Sequence, residues 1–197
     1  MKYPIPYVPK YRLQPKRTLN VASAWKGLPE ILPSLMHDFQ VGPTLAVEFG
    51  VETGYSSVAL AEHFLRVIGV DTFTGLGHDS DPGFYEQVRE SVQDIGNLTL
   101  VQSNWQDFAK EYEENVNAAI DLIHVDIDHG YDETYEAGEW AVKHAPVCLF
   151  HDTLSFTDIP TAAGIRACGD LAQKYGLTFH NFEESHGLGI LSRKEKR

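Results

Sequence analysis

The chain reads as an α/β protein: a Rossmann-like, doubly wound, mostly parallel seven-stranded sheet with an antiparallel C-terminal hairpin. Three observations predict this. After Gly42-Pro43, five apolar runs of strand length alternate with helical patterns, the signature of consecutive βαβ units. The last two runs are joined only by Glu183-Glu184-Ser185-His186-Gly187, which leaves no room for a crossover helix and requires antiparallel pairing. The runs also end in polar, acidic or Gly residues although they are apolar along their lengths.

Residues 1–19 are rich in Pro, Tyr and basic residues without periodicity, which predicts an extended arm that can pack through Tyr3, Tyr7 and Tyr11. From Val21 to Phe39 helical spacing gathers Ile31, Leu32, Leu35, Met36 and Phe39, and Pro29 and Pro33 divide the segment into short pieces. The predicted parallel strands are 44–49, 66–71, 98–103, 120–126 and 147–151. Between and after them, helices are predicted near 57–64, 84–95, 106–115, 133–144 and 160–175, with Gly96 and Gly176 at C-cap positions. Strands 177–182 and 188–192 form the hairpin. Residues 1–40 are thus an arm with short helices, and 41–197 a single domain that no repeat or linker divides.

A chain of 197 residues, 43% hydrophobic and 22% charged, can bury a substantial core. Its net charge of -12 is uneven, because Lys2, Lys10, Arg12, Lys16, Arg17 and Lys26 precede any acid. The remaining body is strongly acidic and predicts no nucleic-acid partner, while the basic segment reads as a solvated tail rather than a phosphate-binding arm. Cys148 and Cys168 sit in apolar or helical patterns, suited to buried thiols of a reducing compartment. No apolar stretch approaches the ~20 residues that span a bilayer. Pro4, Pro6 and Pro9 stand where a signal peptide needs an apolar run, so a cytoplasmic protein without a membrane partner is expected. A homo-oligomer is neither required nor excluded.

The stretch Leu45-Ala46-Val47-Glu48-Phe49-Gly50-Val51-Glu52-Thr53-Gly54-Tyr55-Ser56-Ser57 compresses a buried strand, a Gly-containing turn and a helix start. Its Glu-x-Gly-x-x-x-Gly spacing departs from the Gly-x-Gly-x-x-Gly of dinucleotide sites and points toward S-adenosylmethionine. Gly lets a ligand lie against bare main chain, and Ser56 or Ser57 is placed to cap the helix. Asp71 ends the next strand about twenty residues on, suited to accept hydrogen bonds from both ribose hydroxyls. The remaining strand ends hold Ser103 with Asn104, Asp126 with Asp128 and His129, and His151 with Asp152. Ligands of doubly wound sheets bind outside such carboxyl ends.

Over residues 44–192 the pattern resembles the class I S-adenosylmethionine-dependent methyltransferases, in the branch of macrolide-sugar O-methyltransferases and cephalosporin-hydroxylase-like proteins. The resemblance rests on 47–56, on Gly69-Val70-Asp71-Thr72-Phe73-Thr74-Gly75-Leu76, and on Ile123-His124-Val125-Asp126-Ile127-Asp128-His129-Gly130-Tyr131 followed by Leu149-Phe150-His151-Asp152-Thr153. It implies a cofactor set of Glu48, Gly50, Thr53, Gly54, Tyr55, Ser56, Asp71, Thr72, Phe73, Ser103, Asn104, Trp105 and Asp126. It further implies Mg²⁺ or another divalent cation held by Asp126 and Asp152, with His151 where some members carry a carboxylate, and Asp128 as base; His129, next to it, is read from its position as the second catalytic candidate, as base or as support to it. A hard cation on carboxylate oxygens would acidify and orient an otherwise poorly nucleophilic hydroxyl. The expected reaction is methyl transfer to a hydroxyl of a small-molecule acceptor such as a sugar. Two other readings stand beside it. One is a cofactor-binding protein of the same fold without transfer; the other is a metallohydrolase, on the likeness of 124–129 to His-rich metal boxes.

Overall fold

The computed structural model describes residues 2–74, 83–116, 118–127, 130–154, 161–194 and 196. Eight strands form one sheet: β1 (Ile5–Pro6), β2 (Leu45–Phe49), β3 (Arg66–Asp71), β4 (Leu98–Gln102), β5 (Leu122–Val125), β6 (Val147–His151), β7 (Thr178–Phe182) and β8 (Leu188–Ser192). The helices are α1 (Leu32–Asp38), after a 3₁₀ turn at Pro29–Ile31, then α2 (Tyr55–Ala61), α3 (Phe84–Val92), α4 (Trp105–Asn115), α5 (Tyr131–His144) and α6 (Thr161–Tyr175). The spatial order is β1-β7-β8-β6-β5-β2-β3-β4, with β8 antiparallel to β6 and β7 and every other pairing parallel.

The seven expected strands are present, and an eighth corrects the reading of the arm. Ile5 and Pro6 add a two-residue edge to β7, and the arm runs on over the body instead of projecting into solvent. The Tyr7 ring is buried, and its hydroxyl donates to Asp38 at 3.3 Å while Lys10 pairs with the same carboxylate at 2.9 Å. Arg17 makes a bidentate contact to Asp94, and Arg12 pairs with Glu184. The basic residues therefore tie the arm to an acidic body, which composition alone could not distinguish from a solvated tail.

Alternation along the strands divides the core into two layers. Val47, Phe49, Ile123, Val125, Cys148 and Phe150 face α4, α5 and α6, where Phe108, Trp140, Cys168 and Leu171 pack. Ala46, Leu122, Val147 and Leu149 face the opposite side, against Trp25, Leu28, Leu35, Phe39 and Leu60. Both cysteines are buried and free. Gly176 follows α6 with φ 66, whereas Gly96 lacks a positive φ and lies three residues beyond the Gln93 cap of α3. The chain runs outward through β2, β3 and β4 and then returns to place β5 on the other side of β2. That reversal opens a crevice between the carboxyl ends of β2 and β5.

Candidate functional site

At the end of β2 the chain turns sharply under the end of β5. Gly50 has φ 88, and a Cβ there would stand 1.7 Å from the carbonyl oxygen of Asp126, so close backbone approach alone demands glycine. Gly54, with φ 86, is the N-cap of α2, and no side chain caps the helix. This corrects the capping role expected of Ser56 or Ser57, which lie buried inside the first turn. Asp71 secures the turn from the neighbouring strand. Its Oδ2 accepts from the N–H groups of Val51 at 2.8 Å and Glu52 at 2.9 Å, and its Oδ1 from that of Phe73 at 2.7 Å. A carboxylate offers about four acceptor positions, so three are already used and one is left for a ligand, rather than the pair expected for two ribose hydroxyls.

The ends of β5 and β6 supply a second cluster. Register pairs Val125 with Phe150, and the next residues are Asp126 and His151. His151 Nδ1 lies 3.4 Å from Asp126 and 3.6 Å from Asp152, and its Nε2 meets the Ser185 carbonyl at 3.0 Å. Donation from Nε2–H to Ser185 leaves the Nδ1 lone pair of a neutral ring facing the two carboxylates. One ligand atom from each of Asp126, His151 and Asp152 falls within a 4.8 Å group, a donor set that fits a divalent cation. With no cation bound, burial disfavours the imidazolium, but the hydrogen bond and charge of Asp126 and the charge of Asp152 outweigh it and raise the His151 pKa. Glu52 is likewise pushed upward, first by burial and then by the charges of Asp126 and Asp71. Glu52 and Asp152, both on the crevice wall, have φ 50 and 54, a strained region for such residues.

Glu48 is corrected. Register sets it beside His124, and strand parity turns both onto the sheet face opposite Phe49. There the buried carboxylate accepts from Ser57 Oγ and contacts His124 Nδ1 at 2.8 Å, with Trp25 4.6 Å from the imidazole between ring centroids. Glu48 and His124 thus brace the wall behind Trp25 and do not face a ligand. His124 also stands outside the group of Asp126, His151 and Asp152, which removes the first member of the metal-box reading.

A cleft of about 900 Å³ joins the turn to the cluster. Of the expected residues it is lined by Gly50, Thr53, Tyr55, Ser56, Asp71, Thr72, Ser103, Asn104, Trp105, Asp126, His151 and Asp152. Asn104 is largely engaged elsewhere, because its Oδ1 caps α4 by accepting from the Asp107 N–H at 2.7 Å. Phe73 is corrected: it packs with Val51 and Val88 in a small apolar cluster and lies 5.0 Å from the Tyr85 ring, away from the lining. Asp128 and His129 lie outside the described residues. Sequence reasoning missed Ser23, Ala24 and Trp25, Phe84 and Glu133. The unassigned Trp in a Pro-divided segment was the one available signal for the first group.

A turn that needs glycine beneath a crossing backbone, a strand-end acid and the strand-end group of Asp126, His151 and Asp152, all at one topological switch point, are the arrangement of a nucleoside-cofactor site in a Rossmann-like fold. A sequence profile of the methyltransferase-domain family matches residues 47–153, which includes all three features. The chain belongs to that family, and it is a class I S-adenosylmethionine-dependent methyltransferase. No curated protein matches it. Among solved structures it is similar to an O-methyltransferase from Bacillus cereus in complex with S-adenosylhomocysteine, with a TM-score of 0.64, 16% identity, and coverage of 88% of this chain and 83% of that one. The O-methyltransferase TomG from Streptomyces achromogenes, in complex with S-adenosylmethionine, gives a TM-score of 0.59, 17% identity and coverage of 88% and 81%. Fibrillarin from Aeropyrum pernix, with natively bound S-adenosyl-L-methionine, gives 0.57, 14%, and coverage of 85% and 75%. Likeness at these identities shows the fold. Among the described residues no helix is long and apolar enough to cross a membrane.

Proposed function

We propose that this enzyme transfers a methyl group from S-adenosylmethionine to a hydroxyl of a small molecule, of which a sugar is one candidate, with a divalent cation such as Mg²⁺ assisting. The observation that carries this reading is the convergence of Asp126, His151 and Asp152 ligand atoms within 4.8 Å on the wall of the same cleft as Asp71 and the Gly50 turn. The cofactor supplies a methyl on a sulfonium, a leaving group that needs no acid. The protein's task is then to align the hydroxyl and remove its proton.

In this reading Asp71, with one acceptor position free, binds a ribose hydroxyl, and the turn from Gly50 to Tyr55 lies against the rest of the nucleoside and methionine moiety. Asp126, His151 and Asp152 hold the cation, whose chemistry is to lower the pKa of a coordinated hydroxyl. The Ser185 carbonyl fixes the His151 ring for that role. Asp128, two residues beyond Asp126, takes the hydroxyl proton. Titration calorimetry with S-adenosylhomocysteine, with and without Mg²⁺, followed by turnover on a panel of polyols, tests the proposal. Binding with Mg²⁺-dependent methylation is expected. No cofactor binding would refute it, and binding without transfer across the panel would favour a non-transferring cofactor protein.

A further inference from the structure

Three successive residues of the turn between β7 and β8 stand at positive φ: Ser185 at 52, His186 at 65 and Gly187 at 91. Ser185 and His186 carry side chains that disfavour this region, and such residues keep it only where the surroundings over-determine the backbone. Hydrogen bonds supply that constraint. The Gly187 N–H donates to the Glu184 carbonyl at 3.0 Å, and the Leu154 N–H donates to the His186 carbonyl at 2.9 Å. Two more belong to Ser185, whose carbonyl meets His151 Nε2 at 3.0 Å and whose Oγ donates to the Lys26 carbonyl at 2.8 Å.

Ser185 thus joins two stretches of the cleft wall. On one side is His151, which groups with Asp126 and Asp152; on the other are Ser23, Ala24 and Trp25 of the arm, directly before Lys26. The two stretches lie side by side, with the Trp25 ring 6.2 Å from that of His151 between centroids. Turning Ser185 out of the left-handed region would displace its carbonyl and its hydroxyl together, so the His151 ring and the arm are not set independently. We infer that Ser185 is a positioning residue that couples the arm wall of the cleft to His151, so that fixing the imidazole on a cation also orders residues 23–28. This rests on the reading of Asp126, His151 and Asp152 as cation ligands. It gives the arm a task in the reaction, because the wall beside His151 then forms in step with cation binding.

Amide hydrogen exchange of the full chain, with and without Mn²⁺, tests the coupling, alongside calorimetric titrations with Mn²⁺ and with S-adenosylhomocysteine. In wild type, bound Mn²⁺ should slow exchange across 23–28 by about threefold, the share that one hydrogen bond near solvent can transmit. Ser185→Gly keeps the left-handed turn without steric cost and deletes the hydroxyl. It should bind Mn²⁺ about threefold more weakly, lose the Mn²⁺-dependent slowing at 23–28, and bind S-adenosylhomocysteine as wild type does. Coupling is reciprocal, so the affinity and the slowing must fall together. Exchange at 23–28 that ignores bound Mn²⁺ in wild type would overturn the inference. So would a Ser185→Gly chain that keeps either the affinity or the slowing, or that loses S-adenosylhomocysteine affinity as well. Failure of Mn²⁺ to bind the wild-type chain at all would instead refute the cation reading beneath it.

Discussion

Replacing Asp71 with Asn isolates the role of one carboxylate that holds three backbone N–H groups. In the wild-type chain Oδ2 accepts from Val51 and Glu52 and Oδ1 from Phe73, at 2.7–2.9 Å. An amide can keep the Phe73 bond through its oxygen, but its NH₂ then faces two donors. Two charge-assisted bonds are lost from a partly buried site, at about 1.5 kcal/mol each, or about 3 kcal/mol together. Glu52 and Phe73 are held at φ 50 and 52, a strained region for such residues, and the loss releases them. For a chain of this size about 3 kcal/mol lowers Tm by about 6–12 °C. Urea denaturation measures the stability, and amide hydrogen exchange at Val51 and Glu52 should show protection falling at the turn before it falls in the sheet. Wild-type stability together with wild-type protection at these two amides would refute the reasoning.

Gly50→Ala should destabilise the fold by about 4 kcal/mol or more, because the added methyl collides with the Asp126 carbonyl at a positive φ; a normal urea midpoint would contradict this. His151→Ala should weaken Mn²⁺ binding by about 100-fold while changing S-adenosylhomocysteine affinity less than about threefold, since it removes one of three donors and spares the Asp71 side; equal Mn²⁺ affinity in calorimetry would exclude His151 as a ligand. Asp38 is predicted to contribute to the acid limb of stability. Burial raises its pKa, but hydrogen bonds from Lys10 and His37 and the charges of Lys10 and Lys196 more than reverse this, so the folded value lies below the unfolded one. Its contribution is present above the ordinary carboxyl pKa of about 4 and is lost as pH falls through the folded value. Urea midpoints from pH 7 to 3 should drop more steeply for wild type than for Asp38→Asn, and parallel curves would contradict the assignment.

The parallel strands and their helices were legible because each is a bounded apolar run or a helical pattern, and the expected limits agree with the structure within a few residues. The hairpin was legible from the shortness of 183–187. The meeting of Asp126, His151 and Asp152 was also readable, since they end adjacent strands and adjacency follows from doubly wound topology. What escaped the sequence depended on facing. Glu48 stands in the motif most suggestive of a ligand, yet its parity with Ala46 turns it into the core beside His124. Phe73 was lost to an apolar cluster that α3 completes. Trp25 reaches the cleft in a segment held by long-range contacts, among them Tyr7 and Lys10 with Asp38 and Ser185 Oγ donating to the Lys26 carbonyl, for which local periodicity carries no signal.

The most direct measurement is a crystal structure of the enzyme soaked with S-adenosylhomocysteine and Mn²⁺, read by the anomalous signal of the metal. The account predicts an anomalous peak bonded to Asp126, His151 and Asp152, with the nucleoside in the cleft and a ribose hydroxyl on Asp71. Metal bound elsewhere, or a nucleoside lying away from Asp71 and the Gly50 turn, would contradict it.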